Sequence, residues 1–452
     1  MTEAPQHSVT ILEDVCIGCP ACAKVCPTEA IRLRRRKAVI LENRCVDCGM
    51  CVRVCPVSAA VAQTDPLTDI QRFKHAVALV GPEIYSQFGD DALPESILQA
   101  ILMLGFQEVH DVALACEEQI IAIRQYVAGT RHKKPVISFS CPAVARLIRA
   151  RFPSLLEHVL PLRSPMGAAA RRLRETRAAE LGIAPADLGL FYITPCPARM
   201  TRVHRPLTDR SVYYDGAISL ADIYRDILAG LRKVRESGTP HPPQFRATGF
   251  GVSWGASGGE EKSLLLDDCL YVDGIPGVLK IFDSIERGEL SQLNYLEVMA
   301  CAGGCAGGPL MVENVFLARN KIQKMARLFS ARESGFVPGS VQRRQREGYY
   351  DLETDLHPHL IDPLDADPMK AIKKLKERQK ILETLPGIDC GVCGAPNCRT
   401  LAEDVVLGRG EKTDCIFVLF DQANEMVRRV NEWTAKLPVT LRRPEPDPAA
   451  KG

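Results

Sequence analysis

Between residues 75 and 345 the apolar positions change period again and again. Short apolar runs over residues 75–80, 136–139, 188–194 and 295–299 predict strands. Between them, apolar residues at helical spacing predict helices over 95–104 (opened by Pro94), 143–152, 220–234 and 314–329. Strands alternating with helices predict an α/β domain with a mostly parallel sheet covered on both faces. Three of these strands run into cysteines: 136–139 into Cys141, 188–194 into Cys196, and 295–299 into Cys301. Sites in open α/β sheets form beyond the carboxyl ends of the strands, so cysteines far apart in sequence are expected to converge there.

The flanks read differently. Residues 1–62 hold two similar cysteine-rich units, with an apolar, basic, apolar pattern around Arg34–Lys37 that predicts a hairpin with a basic turn. A link over 63–74 leads into the α/β domain, assigned to 75–345. Residues 346–383 form a charged linker broken by Pro358, Pro363 and Pro368. There Met369, Ile372, Leu375 and Leu382 predict a helix. A small cysteine-rich domain, helical over 417–433, spans 384–436, and the Pro-rich charged tail 437–452 is expected to be disordered.

Composition adds exclusions. The 452 residues, 46% hydrophobic and 25% charged, fit a globular chain of two to four domains, and a net charge of +2 gives no argument for nucleic acid or membrane. No apolar stretch precedes the first cysteine and no run is long enough to span a bilayer, which predicts a cytoplasmic protein. In a reducing compartment, closely spaced cysteines are ligands or catalysts rather than disulfides.

Sixteen of the eighteen cysteines fall into three patterns. The run Cys16-x2-Cys19-x2-Cys22-x3-Cys26-Pro27 recurs as Cys45-x2-Cys48-x2-Cys51-x3-Cys55-Pro56. In such doubled runs the fourth cysteine ligates the other cluster. Cys16, Cys19, Cys22 and Cys55 are thus assigned to one [4Fe-4S] cluster, and Cys45, Cys48, Cys51 and Cys26 to a second. Zinc prefers four ligands in separated pairs and fits this doubled spacing poorly. A third run, Cys390-x2-Cys393-x4-Cys398-x16-Cys415, has Gly391, Gly394 and Pro396 for tight turns. It resembles the small [4Fe-4S] domain of corrinoid iron–sulfur proteins and of some hydrogenase-like sensors, with zinc as the rival ligand.

The last pattern is dispersed: Cys141 in Ser138-Phe139-Ser140-Cys141-Pro142, Cys196 in Thr194-Pro195-Cys196-Pro197-Ala198-Arg199, and Cys301 with Cys305 in Glu297-x-Met-Ala-Cys-x-Gly-Gly-Cys-x-Gly-Gly. Four cysteines in Gly/Pro-rich turns can hold one more [4Fe-4S] cluster. The glycines after Cys301 are expected to let backbone approach something closely. The plain alternative is unrelated buried cysteines.

These motifs, and their order after a ferredoxin module, resemble the large subunit of [FeFe] hydrogenases over roughly residues 10–345. The resemblance implies two parallel-sheet α/β halves with an H-cluster between them. That cluster is a [4Fe-4S] cubane joined through one thiolate to a two-iron centre carrying CO, cyanide and a dithiolate. By position Cys305 would bridge, Cys141, Cys196 and Cys301 would complete the cubane, and Met299 and Met166 would lie near the two-iron centre. The chain departs from the family in three places. Ser140 stands where high-turnover members have a proton-relaying cysteine, and a hydroxyl is a far weaker acid than a thiol of pKa ~8.5. Arg199 replaces a lysine that donates to cyanide. In the helix before the first motif, Glu117 and Glu118 are present, but Ile121 takes the next acidic position. Glu83 falls where the family has a small residue; a replacement proton carrier and a salt-bridged carboxylate are both open.

Such departures suit the sensory or slow branch of the family. The chain is therefore expected to bind H2, or to interconvert it slowly with protons and electrons. Electrons would pass through three [4Fe-4S] clusters to a ferredoxin-like redox partner or signalling protein, after maturation factors load the site. Because the chain stops near residue 436, signal output is expected to go through a partner. The alternatives are a non-catalytic iron–sulfur carrier or assembly protein without the two-iron centre, and an electron-transfer subunit. Cys116 and Cys269 are expected to be packing residues, the Arg34–Lys37 run a solvated turn or a docking patch, and Gly258-Gly259-Glu260-Glu261 no phosphate loop.

Overall fold

The computed structural model describes residues 7–129, 132–208, 213–237, 245–359, 361 and 363–441. Backbone packing groups the chain into two compact units, residues 1–16 with 40–361, and residues 17–39 with 362–452. This differs from the division given by the cysteine motifs, because the hairpin of the first run packs with the C-terminal residues.

The larger unit holds two parallel sheets. Its strands are β1 (His75–Val80), β2 (Glu108–Asp111), β3 (Val136–Ile137), β4 (Leu188–Thr194), β5 (Gly216–Ser219), β6 (Cys269–Asp273) and β7 (Tyr295–Met299). One sheet has the order β2-β1-β4-β5, with His75 opposite Leu188 and Val77 opposite Glu108. The other has the order β6-β7-β3, with Tyr295 between Cys269 and Val136. Every residue of β4 and β7 is buried, as expected of central strands in sheets covered on both faces. The helices that carry the site are α1 (Pro94–Leu102), α2 (Ala113–Val127), α3 (Pro142–Arg151), α4 (Pro165–Leu181), α5 (Pro197–His204), α6 (Leu220–Ser237), α7 (Gly259–Leu264) and α8 (Val315–Leu328).

The second cysteine run packs onto this α/β body within the same unit. Val9–Ile11 pairs antiparallel with Ala60–Ala62. Asp47, 1% exposed, accepts Ser8 N at 2.8 Å and the Thr201 hydroxyl at 2.8 Å, and lies 3.4 Å from Arg146 Nη1. Arg53 Nη1 donates to Gly307 O at 2.6 Å. At Gly49, with φ +70°, a Cβ would fall 2.4 Å from the Pro309 ring, so only glycine fits this approach.

In the smaller unit the Ile31–Arg34 strand packs against the C-terminal cysteine region. Leu33 N donates to Gly394 O at 2.8 Å, and Glu29 receives the Asn397 amide and the Thr400 hydroxyl, each at 2.8 Å. Arg32 and Asp404, 3% and 1% exposed, form an ion pair at 2.7 Å, which Arg34 joins at 3.0 Å. The basic turn is therefore not wholly solvated: Arg34 is tied down, while Arg35 and Arg36 form the left-handed turn with φ of 49° and 63°. The linker helix spans Pro368–Glu383 and the last helix Ile416–Ala435, whose side chains are all at least partly exposed. Of the expected tail, residues 442–452 lie outside the described residues. No helix among the described residues is long and apolar enough to cross a membrane.

Removing one partner of a buried ion pair leaves the other charge uncompensated. Asp404→Ala should destabilise the smaller unit by about 3–5 kcal/mol, read as its denaturant-unfolding midpoint by circular dichroism, and Arg32→Met with Asp404→Leu should recover most of it. A single variant as stable as wild type would contradict this account.

Candidate active site

Each dispersed cysteine lies just past the end of a strand. Cys141 follows β3 by a short extended segment and takes the N-cap position of α3; Cys196 follows β4 and takes the N-cap of α5. Proline opens both helices, as its fixed φ suits the first turn. Both helix N-termini thus place positive dipole ends and free N–H groups beside a thiolate. Cys301 and Cys305 follow β7.

The four converge. Cys141, Cys196, Cys301 and Cys305 line one cavity, with Asp47, Cys48 and Met299 in its wall. They come from the ends of both sheets rather than from one. Burial pushes the Cys196 thiol up to about 11, Arg199 opposing and Cys141 adding to it. Burial, reinforced by the neighbouring sulfurs, holds Cys301 well above the usual thiol range. A site of mutually raised, buried thiols takes up metal with release of protons.

The glycines of the third motif make close approaches to the protein body. At Gly304, φ +77°, a Cβ would fall 2.4 Å from Ser257 N; at Gly303, φ +80°, it would fall 2.4 Å from Val315 Cγ2. The close approach they permit is to protein, so they fix the loop that carries Cys301 and Cys305.

A second cavity opens on the other side of Cys305. It is lined by Gly81, Pro82, Glu83, Cys116, Ser140, Met166, Tyr192, Arg199, Trp254 and Met299, among others. All five residues expected beside a two-iron centre (Ser140, Arg199, Met166, Met299 and Glu83) reach this wall. Met166 and Met299 are 5% and 4% exposed. Glu83, 2% exposed, accepts Arg199 Nη1 at 2.6 Å and the Tyr192 hydroxyl at 2.9 Å. Glu83 is thus a buried, salt-bridged carboxylate. Arg199 Nη2 also donates to Cys305 Sγ at 3.1 Å, and its guanidinium lies over the Tyr192 ring.

Cys116, expected as packing, is buried but forms part of the cavity wall; burial raises its thiol well above the usual range. Cys269 sits partly exposed on the edge strand β6. Glu117 and Glu118 do not line the cavity. Glu117 accepts Thr248 N and the Ser334 hydroxyl; Glu118 binds Arg172 at 2.8 Å and the Tyr350 hydroxyl at 3.0 Å. The sequence reading missed Asp47, Tyr192, Trp254 and Glu260. For Glu260 the signal was present, as a charged residue just after a Gly-Gly pair.

The donor set fits an iron–sulfur assembly. Four thiols share one cavity, and on the Cys305 side two thioethers and a fixed guanidinium face a second. An anionic, ligand-rich metal centre suits a buried cation and soft walls better than a carboxylate-lined metal site would.

Two α/β halves bearing a four-cysteine cavity, with cysteine runs at both ends of the sequence, define an iron–sulfur, metal-binding protein of hydrogenase type. The family described as the iron only hydrogenase large subunit, C-terminal domain, matches residues 74–268 and 260–309, just over half of the chain, and this chain belongs to it. A 4Fe-4S dicluster domain matches residues 15–59, and a putative Fe-S cluster family matches 385–417. The chain is 22% identical over 354 residues to the NADP-reducing hydrogenase subunit HndD of Solidesulfovibrio fructosivorans, covering 68% of this chain and 57% of that one. It is 21% identical over 285 residues to iron hydrogenase 1 of Clostridium pasteurianum, covering 52% and 50%. It thus spans about half the length of these relatives. A solved variant of the [FeFe]-hydrogenase HydA1 from Chlamydomonas reinhardtii shares the fold, with a TM-score of 0.50 and 16% identity, covering 65% of this chain and 98% of that one.

Glu83 and Arg199 should be strongly coupled. Arg199→Met leaves a carboxylate buried without its cation and should cost about 3–5 kcal/mol in denaturant unfolding, whereas adding Glu83→Gln should restore about half or more. Additive losses would mean that the pair does not act as a unit.

Proposed function

We propose that this chain is an [FeFe]-hydrogenase-type protein of the sensory or slow branch, cytoplasmic, which binds H2 or interconverts it slowly with protons and electrons. The observation that carries this reading is the shared cavity of Cys141, Cys196, Cys301 and Cys305, with a second cavity against Cys305. Cys141, Cys196, Cys301 and Cys305 would hold the cubane of an H-cluster, and Cys305 would bridge to the two-iron centre. When bound, that cofactor supplies the open iron for H2 and the redox capacity.

The chain's own groups supply the rest. Arg199, fixed by Glu83 and Tyr192, keeps a positive charge against the bridging sulfur and can donate toward an anionic ligand. Met166, Met299 and Pro82 keep water scarce, which strengthens that interaction. Ser140 presents a hydroxyl where a thiol would transfer protons faster, and this supports slow turnover. Cys48 of the second run shares the cubane cavity, which supports electron exit through the ferredoxin clusters. Three further [4Fe-4S] clusters would be held by the two N-terminal runs and by Cys390, Cys393, Cys398 and Cys415. A ferredoxin-like redox protein or a signalling protein would then take the electrons or the signal, and maturation factors would load the two-iron centre.

A cluster carrier without the two-iron centre remains the alternative, because the glycines of the third motif serve protein packing and do not separate the two readings. After maturation, infrared bands of iron-bound CO and cyanide are expected; a fully matured protein without them would end the hydrogenase reading. With those bands present, Ser140→Cys should raise H2 production by about tenfold or more. An unchanged rate would mean that the Ser140 hydroxyl does not limit proton delivery.

A further inference from the structure

The last helix of the smaller unit, Ile416–Ala435, has 20 residues and no buried side chain. Its first turn is anchored. It starts beside the buried Cys415, Leu419 N donates to Cys415 O at 2.9 Å, and Val418 packs against the core around the third cysteine run. Beyond that turn every apolar side chain of the helix is exposed. Met426, Val430 and Trp433 are 68%, 52% and 69% exposed.

These residues are not scattered. Ile416, Leu419, Ala423, Met426, Val430 and Trp433 follow the alternating spacing of three and four that defines heptad positions a and d, and Leu437 falls at the next a position. Phe420 and Val427, each 59% exposed, widen the stripe at position e. The charges keep clear of it: Glu425 pairs with Arg428 at 2.7 Å and with Arg429 at 3.1 Å on the polar side of the helix. An apolar period of 3.5 residues stays on one face only when two such helices supercoil.

A lone helix of this composition is poorly supported in water. Phe417, Val418, Val427, Val430 and Thr434 are aromatic or β-branched and lower helix propensity, as do Asn424 and Asn431. Helices in proteins gain most of their stability from packing an apolar face. The exposed apolar side chains here present on the order of several hundred Å² per chain, a patch of the size that marks an interaction site and close to the roughly 800 Å² that each partner buries in a standard interface.

The chemistry of the helix selects the occupant. Asp421, Glu425 and Glu432 balance Arg428, Arg429 and Lys436, so the polar face lacks the basic excess that holds a helix on anionic lipid. The same balance offers nothing to a strongly charged partner. An identical helix in parallel meets the stripe layer by layer, a against a and d against d. β-Branched Ile416 and Val430 at a, with Leu419 at d, favour two strands. Arg429, at position g, then lies beside the uncharged Thr434 of the second copy, so no like charges meet there.

We propose that the chain pairs with a second copy of itself through a parallel two-stranded coiled coil of residues 416–437. Because each helix begins at Cys415, the pairing sets the two C-terminal cysteine-rich domains side by side. It depends on neither the two-iron centre nor hydrogenase activity.

The test uses the full chain with its iron–sulfur clusters, in anaerobic sedimentation equilibrium at micromolar concentration. Wild type should have the mass of two chains. Val430→Glu with Trp433→Glu should give one chain with unchanged iron content, since both side chains are exposed in the single chain. Ala423→Ile fills a small a position and should lower the dimer dissociation constant by about tenfold or more. With p-benzoylphenylalanine in place of Trp433, irradiation should join two chains, with the attachment mapping to residues 430–437 of the second copy. A wild type of one chain, a dimer that survives the double glutamate variant, or attachment to residues 416–423 would overturn the proposal. So would a single-chain wild type that floats with vesicles of anionic phospholipid, which would give this face to a membrane surface.

Discussion

The structure depends on bringing four sulfurs from three distant loops, at the ends of two sheets, into one cavity. Nothing local achieves this. β3 and β7 are neighbours, which brings Cys141 near the Cys301 loop, but Cys196 arrives on β4 of the other sheet. The third motif must then lie tight against the body, and backbone contact at Gly303 and Gly304 leaves no room for a Cβ. A loop held this closely presents Cys301 and Cys305 at fixed positions, as a site built on a rigid frame requires.

Electrostatics follow from that convergence. Buried thiols repel one another as thiolates, and two helix N-termini, Arg199 and Arg53 are positive features nearby. Burying Arg199 demands a counter-charge, and Glu83 provides it. The carboxylate that looked like a candidate proton carrier is therefore spent on holding the guanidinium against Cys305.

Much of this was legible in the sequence where local pattern and structure coincide. The apolar runs at 188–194 and 295–299 are fully buried central strands, and both end where the motifs begin. The strands 108–111, 216–219 and 269–273 were not legible. Glu108-Val109-His110-Asp111 lies at a sheet edge, only partly buried, with a single apolar residue. Cys269–Asp273 is also a partly buried edge strand, but its apolar run is short and follows the charged pair Asp267-Asp268. Gly216–Ser219 is buried but too short to show a period. The site residues Ser140, Arg199, Met166, Met299 and Glu83 were legible because they flank motifs or matching positions. Tyr192 and Asp47 were not, since their roles arise from contacts 39 to 154 residues away, as in Tyr192–Glu83, Ser8–Asp47 and Asp47–Thr201. The hairpin's attachment to the C-terminal cysteines is of the same kind: Arg32 and Asp404 are 372 residues apart.

The most direct test of the shared four-sulfur site is the Mössbauer iron inventory of Cys196→Ser beside wild type. In protein made without the two-iron centre, the account predicts loss of one whole cluster, about four irons per chain, with the other clusters intact. A variant retaining every iron would contradict it, because Cys196 would then hold nothing in common with Cys141, Cys301 and Cys305.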